Sequence, residues 1–530
     1  MRRWNGWGEA SITYPLPNSA ARYLEHQVGK GRPAPDAPFA EVLAGIPAAT
    51  CPAHPLITID PEERLRHARG QSLPDWIALR ANRIGVFPDA VSYPTTDEDV
   101  RSLLKYARLH GVHLIPYGGG TSVVGHINPL AGQEPNLTVD ISRLEYPAEI
   151  DETNRLATFP AGICGPDLER VLNRSGYTLG HFPQSFELST LGGWVATRSS
   201  GQQSYCYGRI EDLFAGGHLE TPIGPLDLPA FPASAAGPDL RQMVAGSEGR
   251  LGILTRITVR IQPLPEIDRF DGVFFPDWQS GIAAVRAIAQ AKVPVSMLRL
   301  SDSQETETTL ALSGKENLVA WTGRGLSLLG YGTERCLLVL GVTGERRAAH
   351  QAGRRAARII REHGGLPTGT LIGKTWRKSR FLTPYLRNTL WEQGYALDTL
   401  ETALPWSEIF EAAKMVKNVI RNGLNQAGES VLVFAHLSHV YCDGASLYVT
   451  YLFRRAVDPE ETLSRWQTIK SAASQVILAR GGTISHQHGI GCDHAPYLAA
   501  EKGRVGVAIL EAARQALDPD GLLNPGKLLA

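Results

Sequence analysis

Val112-His113-Leu114-Ile115-Pro116-Tyr117-Gly118-Gly119-Gly120-Thr121-Ser122 is the stretch whose reading sets the fold. Val112 to Ile115 reads as an apolar strand that runs straight into a loop. Three successive glycines there let the backbone approach a ligand closely and aim its N–H groups at an anion such as pyrophosphate. The other reading of the loop is a tight turn. Its spacing is neither a G-x-x-x-x-G-K-[ST] phosphate loop nor a G-x-G-x-x-G fingerprint, so a kinase, an ATPase and an ordinary NAD enzyme lack support.

The flanking sequence gives the loop its context. Thr96 with Asp99 three residues on makes a helix cap, and Val100, Leu103, Leu104 and Ala107 follow the helical pattern until Gly111 stops it. Beyond the loop, residues 137–141 read as a strand, 166–172 as a helix, and 180–208 as a long segment of small residues. Pro222, Pro225, Pro229, Pro232 and Pro238 would break a helix or a central strand, so 217–238 is expected to be a surface excursion. Residues 253–261 alternate like a strand and end at Pro263 and Pro265, where a domain boundary is placed. From there strands alternate with amphipathic helices such as 281–291 and 348–363, and the chain closes with a glycine-rich loop and a helix near 502–517. The expected fold class is α+β in four parts: an N-terminal arm (1–80), a first domain (81–265), a second domain (266–475) and a C-terminal return (476–530).

Composition bounds the function. The 530 residues carry 53 Lys+Arg against 53 Asp+Glu and are 43% hydrophobic, which excludes a disordered or fibrous chain and gives no general attraction to nucleic acid or anionic lipid. The six cysteines, Cys51, Cys164, Cys206, Cys336, Cys442 and Cys492, form no C-x-x-C pair, which fits a reducing, cytoplasmic compartment. Two arginines at the N-terminus are followed by no apolar signal core, and no stretch approaches ~18 uninterrupted apolar residues, so neither secretion nor membrane spanning is expected.

Three later segments pair small residues with hydroxyls: 184–194, with Gln184, Ser185, Phe186, Glu187, Leu188, Ser189 and Thr190; 197–201, with Thr197, Arg198, Ser199 and Ser200; and 246–254, with Glu248, Gly249, Arg250, Leu251, Gly252, Ile253 and Leu254. Joined to the glycine loop they would make a long groove of backbone and hydroxyl donors, which an extended dinucleotide needs. With the terminal Leu522-Leu523-Asn524-Pro525-Gly526-Lys527, these segments resemble the FAD-binding fold of the vanillyl-alcohol oxidase superfamily. Within it the chain resembles the alkyldihydroxyacetonephosphate synthase family. That second match is carried by Trp4-Asn5-Gly6-Trp7-Gly8, Gly180-His181, Leu191-Gly192-Gly193-Trp194, Ser438-His439-Val440-Tyr441 with Asp443-Gly444-Ala445, and Ser485-His486-Gln487-His488-Gly489.

The resemblance implies a two-part FAD-binding domain with an α+β cap over the isoalloxazine ring, and FAD lined by 116–122, 184–190, 197–200 and 248–254. Covalently flavinylated members carry a His where this chain has Thr121, so FAD is expected to be non-covalent, with nearby His126 read as a loop histidine. Hydroxyacid dehydrogenases of similar pattern hold a metal with two His and a Glu. Here His439 is in place, but Tyr448 and Gln487 stand at the other two positions, and a phenol and a neutral amide are poor ligands, so no metal is expected.

For catalysis the same resemblance implies His486 and His488, alternating around one residue, as groups able to move protons or bind an anion; their other reading is core or loop histidines. Gln487 departs from the family's three-histidine run. Arg299 matches an arginine near the flavin, its alternative being a strand-end partner of Asp302. Arg387 matches the arginine that holds substrate phosphate, its alternative being an exposed helix arginine. By ungapped count Arg455 falls where the family has a catalytic tyrosine, with Tyr451 four residues earlier as a substitute.

The leading reading is exchange of the acyl chain of an acyl-dihydroxyacetone phosphate for a fatty alcohol through an adduct on flavin N5, without net redox change. The alternatives are an FAD oxidase or dehydrogenase of a hydroxylated small molecule or 2-hydroxyacid, and a non-catalytic flavin-binding protein. A small-molecule or lipid substrate is expected and no nucleic acid; peripheral membrane contact and a homodimer are left open.

Overall fold

The computed structural model describes residues 1–314 and 323–529. The glycine loop leaves a four-stranded sheet in the order Ile57–Thr58, Ala90–Ser92, Asn136–Asp140, His113–Tyr117, with the last three parallel. Helix Asp97–His110 connects two of these strands. Thr96 and Asp99 form its reciprocal capping box, and Gly111 ends it in the left-handed region at φ 64°. The C-terminus completes the sheet's edge, since the Leu114 amide donates to the Leu522 carbonyl and the Asn524 amide to the Leu114 carbonyl.

A five-stranded antiparallel sheet follows, in the order Glu149–Asp151, Leu156–Pro160, Ile253–Arg260, Phe214–Thr221, Gly224–Leu228. This corrects the surface excursion expected for 217–238, because 217–228 is mostly strand. Pro225 is tolerated because its strand lies at the edge and pairs on one side only, and Pro222 sits in the turn. The two sheets share one core containing Leu114, Leu137, Val139, Phe159, Trp194, Ile257 and Leu523.

From Ile267 the chain builds a seven-stranded antiparallel sheet, in the order 366–369, 267–275, 336–344, 297–301, 431–440, 444–454, 395–405. Helices Trp278–Gln290, Arg346–Glu362, Ile409–Gln426 and Pro459–Ala479 bury their apolar stripes in the core on one of its faces. Residues 1–80, expected as an N-terminal arm, contain helices and contribute to the core. Helix Asn18–Val28 buries Ala20, Leu24 and Val28 at i, i+4, i+8, and Trp7, Leu73 and Trp76 join the seven-stranded sheet's core. Among the described residues no helix is long and apolar enough to cross a membrane.

Candidate functional site

The glycine loop is held by its neighbours. Gln71 donates its amide to the Ser122 carbonyl at 2.6 Å, Arg2 donates to the Gly119 carbonyl, and Ser122 Oγ meets His126 Nδ1 at 2.8 Å. His126 also lies 3.2 Å from the buried Glu248 carboxylate, whose oxygens accept the amides of Ile490 and Gly491. Loops 116–122, 246–252 and 489–491 are thereby tied into one wall. Among the described residues nothing accepts the amides of Gly119, Gly120 or Thr121, and the buried Ser200 Oγ has no partner. Consecutive unpaired amides after a strand, with an orphaned hydroxyl, fit the pyrophosphate of a dinucleotide.

Several side chains expected in this wall turn elsewhere. Thr190 Oγ1 caps helix Leu191–Thr197, Ser189 Oγ accepts from the Trp194 indole at 2.7 Å, Arg198 donates to the Ala245 carbonyl and Arg250 to the Leu523 carbonyl. At these four positions the backbone rather than the side chain is left for a ligand, while Ser200 keeps its hydroxyl free. No imidazole replaces Thr121, so acid precipitation should leave all the flavin in the supernatant; yellow colour in the pellet would show a covalent bond.

The second half of the site lies on one face of the seven-stranded sheet. Glu401, Tyr448 and His436 are directly opposed across three neighbouring strands, so their side chains share a face. Glu401 is 1% exposed and grips the loop after helix Pro459–Ala479: its Oε1 accepts from Ser485 Oγ at 3.0 Å and from the amides of His486, Gln487 and His488 at 3.1, 2.7 and 2.8 Å. Both imidazoles turn Nδ1 to this carboxylate, at 3.4 Å for His486 and 3.7 Å for His488. At its far side His486 Nε2 meets Tyr441 Oη at 2.6 Å and Arg209 Nη1 at 2.7 Å, and its ring stacks on His439 at 4.9 Å. His488 meets the edge of Tyr448, which stacks on His436, which in turn contacts Arg299 and Glu305.

Burial sets the protonation here. It pushes His486 and His488 below the ordinary imidazole range, with Glu401 pulling the other way, and holds His439 well below it. For Glu401 burial works to raise the carboxyl, but His488, His486 and the loop amides override it and hold it well below the usual carboxylate range.

The structure relocates several expected residues. Arg299 pairs with Glu305 at 2.7 Å, while Asp302 pairs with Lys417. Tyr451 lies on the opposite face of its strand from Tyr448, fully buried, with its hydroxyl donating to Asp398 at 3.3 Å. Arg455 stacks on Trp391 and donates to the Ala34 carbonyl. Tyr448 and Tyr441 are the phenols beside the histidines. Arg387 lies over Trp76 at 4.3 Å and donates one Nη to the Gln71 carbonyl, while its Nε and other Nη are buried without an acceptor. Gln71 thus joins the arginine to the glycine loop.

Sequence reasoning missed Glu401, Arg209 and Tyr441 as site residues. A charge inside the apolar run of strand Tyr395–Pro405 was the signal available for Glu401. Tyr448 donates to Thr399 at 3.1 Å and Gln487 remains a neutral amide. The metal-compatible cluster among the described residues joins His218 and Glu220 of the five-stranded sheet to Asp97 at the start of helix Asp97–His110, with Arg101 and Arg256 bonded to its carboxylates. EDTA should therefore leave activity unchanged, and loss restored by zinc or manganese would overturn this.

Sequence models of two families match the chain: an FAD binding domain over residues 88–225 and the C-terminal domain of FAD linked oxidases over residues 264–528. The alkyldihydroxyacetonephosphate synthase of Dictyostelium discoideum is 30% identical over 473 residues, 88% of this chain and 77% of that protein. That of Caenorhabditis elegans is 31% identical over 484 residues, 88% and 80% respectively. A solved alkyldihydroxyacetonephosphate synthase superposes with a TM-score of 0.85 at 26% identity, covering 99% of this chain and 98% of the other.

Proposed function

We propose a reaction for this chain, which belongs to the alkyldihydroxyacetonephosphate synthase family of FAD-dependent enzymes: it exchanges the acyl chain of an acyl-dihydroxyacetone phosphate for a fatty alcohol, releasing a fatty acid and an alkyl ether. Its cofactor is FAD, held without a covalent bond. When bound, the flavin supplies a ring that ends the cycle in the redox state in which it began.

The observation that carries the reading is Arg387. A guanidinium oriented by Trp76 and the Gln71 carbonyl, with two buried donor atoms unpaired, is a site waiting for an anion, since an unpaired buried charge is costly. A phosphate monoester would accept both donors, and the Gln71 link would hold that phosphate in fixed relation to the cofactor loop. The neutral imidazoles of His486 and His488 suit removal of the alcohol proton, with Tyr448 or Tyr441 alongside to return one. A fatty substrate fits peripheral contact with a membrane.

Anaerobic incubation of the holoprotein with acyl-dihydroxyacetone phosphate and a labelled long-chain alcohol should put label in an alkyl ether and leave the flavin absorbance where it began. Lasting bleaching by an alcohol or hydroxyacid, with no exchange, would make the chain an oxidoreductase instead. Arg387→Ala should raise the KM for the phosphorylated substrate by roughly 10²-fold with kcat little changed, and Arg387→Lys should recover only part because the fork is lost. An unchanged KM would remove the phosphate from Arg387.

A further inference from the structure

We propose that Glu401 is the positioning residue of the site: through the amides of residues 486–488 it sets where both rings stand, through the facing Nδ1 of His486 it fixes the tautomer of that ring, and through His486 it presents the Tyr441 hydroxyl. This rests on reading the His486-Gln487-His488 loop as reactive. A carboxylate and a hydroxyl face the two nitrogens of one imidazole, and the two atoms on the carboxylate side, Glu401 Oε2 and His486 Nδ1, are buried with no other hydrogen-bond partner. Glu401 Oε2 lies 3.4 Å from His486 Nδ1, and His486 Nε2 lies 2.6 Å from Tyr441 Oη.

The donor inventory decides the proton positions. Glu401 Oε1 already accepts from one hydroxyl and three amides, so the carboxylate is an acceptor throughout and the facing Nδ1 carries a proton. Nε2 is then the bare nitrogen. Arg209 donates from the same side, and a second proton on His486 would face that cation at 2.7 Å, so the ring stays neutral. Arg209 also donates to Tyr441 Oη at 3.2 Å, so the phenol accepts from the cation and turns its own proton toward Nε2, sharing that nitrogen's lone pair with Arg209.

Glu401 also fixes the loop itself. Three consecutive amides on one oxygen set the path of residues 486–488, so one side chain determines where both rings stand. Gln487, the residue between them, has its own side-chain carbonyl oxygen buried and unpaired. Its contribution to the cradle is the shortest of the three amide bonds, at 2.7 Å.

Glu401→Gln is the discriminating variant, because the amide keeps the volume and an acceptor oxygen but removes the charge. In ¹⁵N-histidine-labelled holoenzyme, with the His486 signals assigned by their loss in His486→Gln, the wild type should show His486 neutral with its proton on Nδ1. Glu401→Gln should show a mixture or the Nε2–H form. The readout does not depend on turnover, so it stands even if no alkyl exchange is found in the wild type, which would instead defeat the reading of the previous section.

On the proposed reaction, Glu401→Gln should lower kcat on the order of 10²-fold with KM and flavin content held. It should also move the acid limb of the pH profile downward. The groups facing the two rings are Glu401, Arg209, Glu211, Tyr441 and His439 around His486, and Tyr448, Lys470 and Asp398 around His488. Of these Glu401 favours the protonated rings most, ahead of Glu211 at His486 and Asp398 at His488, so its removal makes both rings harder to protonate. A loop that had merely loosened would lose rate without moving the limb. Should Glu401→Gln fail to fold, Tyr441→Phe tests the other end: the same tautomer with kcat lowered supports the relay. A wild-type Nε2–H tautomer, or a Tyr441→Phe enzyme with unchanged kcat, overturns it.

Discussion

Gly119→Val should give a protein that folds and purifies nearly colourless. A Cβ at residue 119 would stand 1.9 Å from the Leu188 carbonyl oxygen and 2.8 Å from the Ser189 Cα. Both are backbone atoms, so no rotamer change relieves the contact and loops 116–122 and 184–190 must part. Overpacking of this kind costs about 1–3 kcal/mol, so FAD binding should weaken by roughly 10- to 10²-fold or more. The expected cause differs from the one the sequence suggests. The bare Cα is needed first for one loop to touch the other, and only through that for the approach of a phosphate. Gly332→Val is the control, because nothing lies within 4 Å of an added Cβ there and its φ is ordinary. Titration of both apo-proteins with FAD, read by flavin fluorescence, separates the cases, and a Gly119→Val protein that binds FAD like the control would place the cofactor elsewhere.

Local rules carried far where one short signal set one element. The Thr96 and Asp99 cap, the Gly111 stop and the apolar run before the glycines each act within a few residues, and each appears in the structure with its partner. Elements fixed by distant pairing were less legible. Pro225 argues against a central strand, and only the sheet order shows that its strand is at the edge and therefore permitted. Helix Asn18–Val28 carries the correct period, but over 11 residues it was masked by the prolines around it.

The site divides in the same way. The two histidines and Arg387 could be picked out because their neighbours in sequence are small or apolar. Glu401 and Arg209 act on residues 85 and 277 positions away, a separation that no local pattern reports. Counting from the Ser438-to-Tyr441 segment to residues 451 and 455 crosses the turn that joins strands 431–440 and 444–454. An ungapped count across that turn led to Arg455 and Tyr451, whereas the pleat puts Tyr448 on the histidine face and Tyr451 among the helices.

His488→Ala should lower kcat by roughly 10²–10⁴-fold with KM nearly unchanged, the loss expected when a proton-transfer group is removed from the chemical step. His488 suits this better than its neighbour does. His486 has Nε2 occupied by Tyr441 and Arg209, whereas no protein hydrogen bond forms at His488 Nε2 among the described residues, and its ring is turned against Tyr448. The sign of the pH dependence follows from its surroundings. Burial lowers the His488 pKa, Glu401 raises it and Lys470 lowers it again, leaving the ring below the ordinary imidazole range. A base works while deprotonated, so kcat should hold as pH falls through that ordinary range and drop only beyond it. In His488→Ala the same limb should vanish from the residual activity, and added imidazole should restore part of the rate by entering the space the ring left. Tyr448→Phe completes the test, because it keeps the ring contact and removes the hydroxyl; a smaller loss that imidazole does not repair would place the phenol after the histidine in the proton's path. Full activity in His488→Ala, or a loss in KM alone, would return the ring to a packing role and leave the proton to His486.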